Sequence, residues 1–382
     1  LAGLRIRPTL SLSARYDDNV FTTADNERSD WLVLVSPQTR VDWTGDAHRL
    51  QVELGAELGR YDTYDREDFD DWWVDVDGRY DLNEQIQLSG GLGMKYSHEP
   101  RDSQDAQIGG LEPTTFRTTD ANAGIKWRLG EWTYRMGVTF ETLDFDDVPG
   151  IGGSIINSDR DRDLLGLGLR ASYRVDPTSE WFVQGLIEDR RYRRTPDQFG
   201  FDRDSDGYRV GAGVKKRLGE GGELEAFVGL MSQDYDDPRF SAIRRADFGG
   251  RLELPPTAGT TLLLTLQRAL NETTDPGSPG YLHTELSGKL AGKRTSRLQP
   301  YVALDYSTSD YLETGRDDRQ LSVGAGLKYF LTRSTAVNAG FNHLERDSND
   351  KGIATSSDDF EKNQFFIGLT SQLYPFNRGA RR

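Results

Sequence analysis

Residues 71–98 carry the pattern that most restricts what this chain can become. Trp72, Val74, Val76, Tyr80 and Leu82 occupy one parity, and Trp73, Asp75, Asp77, Arg79 and Asp81 the other. Successive side chains of a β-strand point to opposite faces, so such a segment has one oily face and one charged face. After residues 83–85 the return segment repeats the alternation, with Ile86, Leu88, Leu92, Met94 and Tyr96 against Gln87, Ser89, Gly91, Gly93, Lys95 and Ser97. A connection this short between two alternating runs predicts a β-hairpin. Each strand runs for about 12 residues, against about 5–6 in soluble domains and about 9–11 for a tilted membrane-spanning strand. The length favours a membrane, and Trp72, Tyr80 and Tyr96 at the ends of the oily face sit where aromatic girdles of membrane barrels lie.

The same arrangement recurs along the chain. Strands are expected at 4–16, 31–43, 48–61, 71–82, 86–98, 115–129, 131–142, 162–175, 180–192, 207–218, 223–234, 241–254, 260–270, 281–291, 297–307, 319–331, 335–345 and 363–376. Short turns alternate with long loops throughout, which is the organisation of an outer-membrane barrel with short periplasmic turns and longer external loops. The expected fold is therefore all-β: a transmembrane, antiparallel, up-and-down β-barrel of about 18 strands. One domain is expected over residues 1–376, with a basic tail at 377–382. The chain opens almost directly in a strand, without a basic-then-apolar leader, and reads as a mature chain from which a signal peptide has been removed.

Composition taken alone points elsewhere. A chain of 382 residues with a net charge of -15 and a mean hydropathy of -0.67 looks like an acidic soluble protein. A barrel strand, however, shows only every second residue to lipid, so no long apolar run is required. The oily runs at 32–35 and 262–264 are far too short for a membrane-crossing helix. The absence of cysteine excludes disulfide scaffolds and thiolate metal sites.

A sheet of this many strands is too wide for its own side chains to fill, so the charged parity is expected to line a water-filled lumen. The inward candidates are Arg40, Glu53, Glu57, Asp75, Asp77, Arg79, Lys95, Lys126, Arg135, Arg170, Arg209, Lys215, Arg245, Asp247, Arg251, Glu253, Glu285, Lys289, Asp305 and Lys328. Trp72, Val74, Val76, Leu88, Leu92, Leu165, Leu167 and Leu169 are expected to face lipid. Opposed carboxylates and guanidinium groups would set a transverse field on which a sugar chain could exchange hydroxyl hydrogen bonds; the plainer reading is that they keep the wall wet. Glycine runs such as 211–213 and 324–326 read as close backbone packing or room in the lumen.

The external loops are acidic, with Asp17, Asp18, Asp25, Glu27 and Asp30 in one, Asp65, Glu67, Asp68, Asp70 and Asp71 in the next, and Asp202, Asp204 and Asp206 further on. No cofactor is expected. Divalent cations could bridge loop carboxylates, but the string from Asp202 to Gly207 has Gly213 where a calcium loop needs a bidentate Glu, so a solvated loop is favoured. No hydrolase elbow, His-Glu-x-x-His pair or phosphate loop occurs, and His48, His98, His283 and His343 are scattered over the strands, so an enzyme is not expected.

Tyr16, Asp17, Asp18 and Asn19 at the end of the first strand, then Ser29 and Asp30, then Val35, Ser36 and Pro37, form a recognisable succession. Here the chain resembles the outer-membrane β-barrels of exopolysaccharide and capsule export loci, the "beta-barrel porin 2" or EpsL-like group. The likeness is most specific over residues 1–100, with a further echo at 372–376. It implies an outer-membrane location, contact with outer-membrane lipid and lipopolysaccharide, polysaccharide as the transported ligand, and a periplasmic export complex as partner; no nucleic-acid partner is expected. The expected function is thus a polysaccharide conduit. A general or solute-selective diffusion porin, or a structural or adhesive barrel, shares the same physical features.

Overall fold

The computed structural model describes residues 3–104, 106, 109–257, 260–273, 275, 277–292, 297–349, 359–373 and 376–378. The strands are β1 (Leu4–Asp17), β2 (Asp30–Thr44), β3 (His48–Tyr61), β4 (Phe69–Asp81), β5 (Ile86–His98), β6 (Thr115–Leu129) and β7 (Trp132–Phe145). A small hairpin, β8 (Val148–Gly150) and β9 (Gly153–Ile155), interrupts the next loop. Then come β10 (Arg162–Arg174), β11 (Ser179–Tyr192), β12 (Ser205–Leu218), β13 (Gly222–Tyr235), β14 (Ile243–Thr257), β15 (Thr260–Asn271) and β16 (Tyr281–Ala291). The chain finishes with β17 (Leu298–Tyr311), β18 (Asp317–Phe330), β19 (Thr335–Ser348), β20 (Phe360–Gln372) and the short β21 (Phe376–Arg378), which pairs with the start of β1. The rest of the expected tail, 379–382, lies outside the described residues, as does the centre of the turn between β14 and β15.

Setting aside β8, β9 and β21, 18 strands form one closed antiparallel barrel. Closure is made by β20 on β1, with Thr9 opposite Gln372 at one end and Asp17 opposite Gln364 at the other. Sequence neighbours pair throughout, so every connection is a hairpin. The short turns cap themselves: the Asn83 carboxamide oxygen accepts the amides of Gln85 and Ile86, and the Asp176 carboxylate accepts the amide and hydroxyl of Thr178. These are the side-chain-to-backbone bonds that suit Asn and Asp to tight turns.

Directly opposed residues share a face, so the register transmits the alternation around the wall. Val41 faces Val52, which faces Val76, then Leu92, Ala121, Phe140 and Leu165. The parity is still intact at the seam, where Leu369 lies opposite Leu12. The charged face is the concave one. Arg170 on β10 reaches Glu225 on β13 at 2.6 Å, three strands away, a separation of roughly 14 Å along the wall that side chains can bridge only as a chord. Outward, Trp43, Tyr80, Trp127, Trp132, Tyr134, Tyr173 and Trp181 gather toward the short turns, and Trp31 and Trp72 toward the long loops. These are the two girdles expected where a barrel meets lipid headgroups.

The inner face is not uniformly polar. Leu32, Leu34 and Phe69 lie on it near the loop end and are buried against Tyr61. Alternation identifies a face, but residues beneath the loops are covered by protein rather than water, so apolar side chains are tolerated there.

Candidate functional site: the lumen and the loops that cross it

Register places every one of the twenty charged residues named from sequence on the concave parity. Many are neutralised along the wall. Arg40 lies 3.4 Å from Asp42 and 3.9 Å from Glu53, Arg209 holds Asp247 at 2.6 Å, Lys215 meets Glu223 at 2.7 Å, and Arg251 meets Glu253 at 3.1 Å. Arg79 pairs with Asp81 at 2.8 Å, Glu57 accepts the Ser36 hydroxyl, and Glu285 accepts the Gln267 amide at 2.6 Å. Lys289 and Lys328 lie over the rings of Tyr301 and Phe330. Asp75 stands opposite Glu53, Asp77 opposite Gln51, Lys95 opposite Trp73, Lys126 opposite Arg135, Arg245 opposite Met231 and Asp305 opposite Ser322. On the other parity Trp72, Val74, Leu88, Leu92, Leu165 and Leu169 are exposed outward, and Val76 and Leu167 share that face.

Both signs line the wall. Carboxylates lead on β3 and β4 with Glu53, Glu57, Asp71, Asp75 and Asp77, although Arg79 and Lys95 stand among them, and from β6 to β14 the cations Lys126, Arg135, Arg170, Arg209 and Arg245 share the face with Glu141, Glu180, Glu188, Glu225 and Asp247. Opposite charges side by side on a hydrated bore produce local fields, which orient dipolar and charged solutes as they pass.

Inner-face aromatics lie flat on glycine. A Cβ on Gly55 would come within 2.3 Å of the Trp73 ring, on Gly59 within 2.3 Å of Phe69, and on Gly213 within 2.4 Å of Phe182. These glycines make room for rings pressed against the wall, which keeps bulky groups out of the bore.

Two loops cross the lumen, and sequence reasoning did not anticipate either. The loop after β5 (99–114) sends its leading limb to the far wall. The Arg101 guanidinium donates twice to Glu67, at 2.9 and 2.7 Å, and the Thr22 hydroxyl donates to the Arg101 carbonyl. Arg346 on β19 donates to the carbonyls of Asp102 and Ser103, the Gln104 amide reaches Gln320 on β18, and the Tyr311 hydroxyl on β17 donates to the Gln104 carbonyl at 3.1 Å. Lys362 on β20 completes the anchorage, 3.4 Å from Asp102 and 3.0 Å from Asp17. Burial alone would raise the Asp102 carboxyl, but Lys362 and Arg346 beside it hold it below the usual carboxylate value. The trailing limb rests on the β8–β9 hairpin through Gly110 and Gly150.

The second loop, 272–280, turns inward from β15. Glu272 binds Arg190 and Tyr192 on β11, four barrel strands away. Arg203 reaches up into this loop, donating to the carbonyls of Ser278 at 2.8 Å and Asp275 at 3.1 Å while its Nε holds Asp197 at 2.8 Å. Between the two loops and the wall lies a cavity of about 360 Å³ whose lining includes Glu99, Arg162, Arg190 and Glu272. Arg346 and Lys362 fall one position outside the strand spans expected at 335–345 and 363–376, and the alternation carried one residue further each way places both inside.

The motif at the end of β1 proves to be a seam. Asp17 accepts from Gln364 and Lys362, Asp18 binds both the backbone amide and the side-chain amide of Asn363, and the buried Asn19 donates to the carbonyls of Thr23 and Glu361. Its residues staple the first strand to the last at the loop end. The Asp202 to Gly207 string does not close on itself: Asp202 caps Asp204, Asp204 accepts the Tyr192 amide, and Asp206 meets Arg191.

A family model described as putative beta-barrel porin 2 matches residues 4–373. No curated protein matches the chain. Among solved structures, the outer membrane protein OpdK of Pseudomonas aeruginosa is 14% identical, with 96% of this chain and 99% of that chain covered and a TM-score of 0.47. A BenF-like porin from Pseudomonas fluorescens Pf-5 is 12% identical over 96% and 99% of the two chains, with a TM-score of 0.48. OpdL of Pseudomonas aeruginosa is 12% identical over 98% and 100%, with a TM-score of 0.45.

Proposed function

The chain belongs to the putative beta-barrel porin 2 family, and from that premise we propose that it is a solute-selective diffusion channel of the bacterial outer membrane. The observation that carries this reading is the pair of loops, 99–114 and 272–280, pinned across the bore by Arg346, Lys362, Arg190 and Arg203. Loops held by charged side chains of other strands and loops narrow the path and present polar groups along it, which suits small hydrophilic solutes. An export conduit, which the motif at Tyr16–Asn19 suggested, would have to pass a continuous polymer, and the same anchorage would obstruct it. Lipopolysaccharide is proposed to contact the outward charged rim, where Arg191 and Arg193 stand among Asp144, Asp163, Asp189 and Asp206.

Reconstitution in planar bilayers and swelling of proteoliposomes test the proposal. Steady ion conductance together with entry of monosaccharides but not of oligosaccharides supports a diffusion channel. Deleting residues 102–110 should enlarge the conductance and raise the size limit. A sealed wild-type barrel, joined to periplasmic retention of polysaccharide when the gene is deleted, would favour export instead.

A further inference from the structure

One row of the inner wall is arranged in a way that closing a barrel does not require. Lys126, Arg135 and Arg170 lie directly opposite one another on the adjacent strands β6, β7 and β10. Gln87 and Gln184 end the row on either side. Like charges directly opposed across strands are destabilising. Neutralisation of the row is uneven: Glu225 takes Arg170 at 2.6 Å and Glu180 stands 4.0 Å from Arg135. Lys126 makes no salt bridge among the described residues.

Two residues along each strand toward the loops, Gly124, Gly137 and Gly168 form a second row of directly opposed positions. Glycine in a strand interior weakens it and commonly marks close approach of a ring, a backbone or a ligand. Elsewhere on this wall the approaching group is visible, as at Gly55 and Gly213, where an aromatic ring fills the space. At Gly124 a Cβ would meet the Ser89 hydroxyl at 3.1 Å, but at Gly137 the nearest atom would be 3.4 Å away and at Gly168 4.0 Å away, both being backbone oxygens at ordinary contact. The fold therefore does not demand glycine at either position, and no side chain among the described residues uses the space. Over the two rows lies a cavity of about 770 Å³, within the size range of small-ligand sites.

We infer that this bay binds an anionic solute of monosaccharide size, its ring lying on the bare glycine row and its carboxylate reaching Lys126 and Arg135. Three cations across two inter-strand spacings extend for about 10 Å, enough to meet one face-on sugar acid and to leave Arg170 for a second anionic or hydroxyl oxygen. The bay sits between the crossing loops and the short turns, so a solute passing the constriction from outside meets it next. The inference rests on the lumen being open to solutes, as proposed above. The ligand could arrive as a free sugar acid or as one unit of an acidic polysaccharide, and the chemistry at the wall is the same.

Glucuronate, glucose and an oligomer of uronate units serve as probes, with binding measured calorimetrically on the detergent-solubilised barrel and blockade measured in planar bilayers. Glucuronate should bind and interrupt the current where glucose at equal concentration does not. The K126Q/R135Q pair should weaken glucuronate binding at least tenfold, whereas Arg251→Gln, a lumenal arginine outside the bay, should leave it unchanged. Gly168→Leu, which fills the floor without touching a charge, should abolish binding even if the charge variant fails to assemble. Tighter binding of the oligomer than of the monomer assigns the ligand to a polymer, and equal binding assigns it to the free acid. Glucose binding as tightly as glucuronate, or glucuronate affinity unmoved by both variants, overturns the inference. Glucuronate binding to a barrel that carries no current would overturn the diffusion channel and leave the bay standing.

Discussion

The ammonium of Lys362, on the last barrel strand, lies 3.4 Å from the carboxylate of Asp102, in the loop that leaves the fifth. It also lies 3.0 Å from Asp17 on the first strand, so one buried lysine joins barrel closure to the position of the crossing loop. Replacing Lys362 with Met removes both partners. A hydrogen bond to a charged group contributes about 1.5–3 kcal/mol, so loop docking should weaken by about that amount. Single-channel conductance should rise and become noisier, and limited proteolysis should begin to cut within 99–114. Unchanged conductance with a protected loop would show that Arg346 and Gln320 hold the loop without Lys362.

The same contact has a pH dependence whose sign is set by Asp102. Its carboxyl is depressed below the ordinary carboxylate range, because Lys362 and Arg346 outweigh the effect of burial. A depressed carboxylate contributes stability that is complete above the unfolded value and is lost as pH falls through the folded one. Loop docking should therefore be insensitive to Asp102 from neutral pH down to about pH 4 and loosen below it. Conductance recorded from pH 7 to pH 3 should step upward only at the acid end. In Asp102→Asn the acid step should disappear, and its persistence would assign the step to another group.

Placement of the two parities is open to a direct comparison. Val74 and Leu167 are on the outward face, so Val74→Arg and Leu167→Arg should each cost about 2–4 kcal/mol if they sit near the bilayer midplane. Asp75→Asn and Arg170→Gln, on the inward face, should leave stability nearly intact and shift the ratio of cation to anion permeability. Unfolding in lipid vesicles and reversal potentials in a salt gradient measure the two effects. Equal tolerance of all four changes would mean that the parity has been assigned to the wrong sides.

Trp73 stands alone among the tryptophans in facing inward, and Gly55 is what lets its ring lie against the wall. Gly55→Val would force the ring off, with overpacking costs of about 1–3 kcal/mol. Thermal unfolding should detect the loss, and the displaced indole should reduce conductance. Adding Trp73→Ala to Gly55→Val should restore both. Failure of the second change to rescue the first would place the strain in the backbone of β3.

The seam offers a fifth measurement. Asn19 is wholly buried and binds two carbonyls, one of them that of Glu361 on the last barrel strand. Asn19→Ala should leave those groups underused and lower the temperature at which the folded barrel converts to the unfolded band on electrophoresis. Asn19→Ala in a barrel of unaltered thermal stability would reduce the motif to a loop without a closing role.

How much of this could be read from residues alone follows from distance along the chain. Alternation is a local property: Val74 and Asp75 declare opposite faces whatever surrounds them, and the register of each hairpin follows from its turn. Strand number, turn positions and the membership of each face were therefore legible. So was the family likeness, because Tyr16, Asp17, Asp18 and Asn19 are contiguous. The task those residues perform was not, since Asp18 meets a partner 345 positions away. The β8–β9 hairpin escaped because three-residue strands are too short for a period to be recognised, although the run from Pro149 through Gly153 is rich in turn formers.

A closed wall, oily outside and polar inside, follows from the residue order, because a period of two sustained over spans of membrane length has few other ways to bury its oily half. Tertiary structure alone decided what stands inside it. Loops carry no periodicity, and whether 99–114 and 272–280 turn outward into water or inward over the bore depends on whether Lys362, Arg346, Arg190 and Arg203 stand on strands and loops several places away to receive them. That is a matter of long-range charge pairing after closure, and no local pattern encodes it.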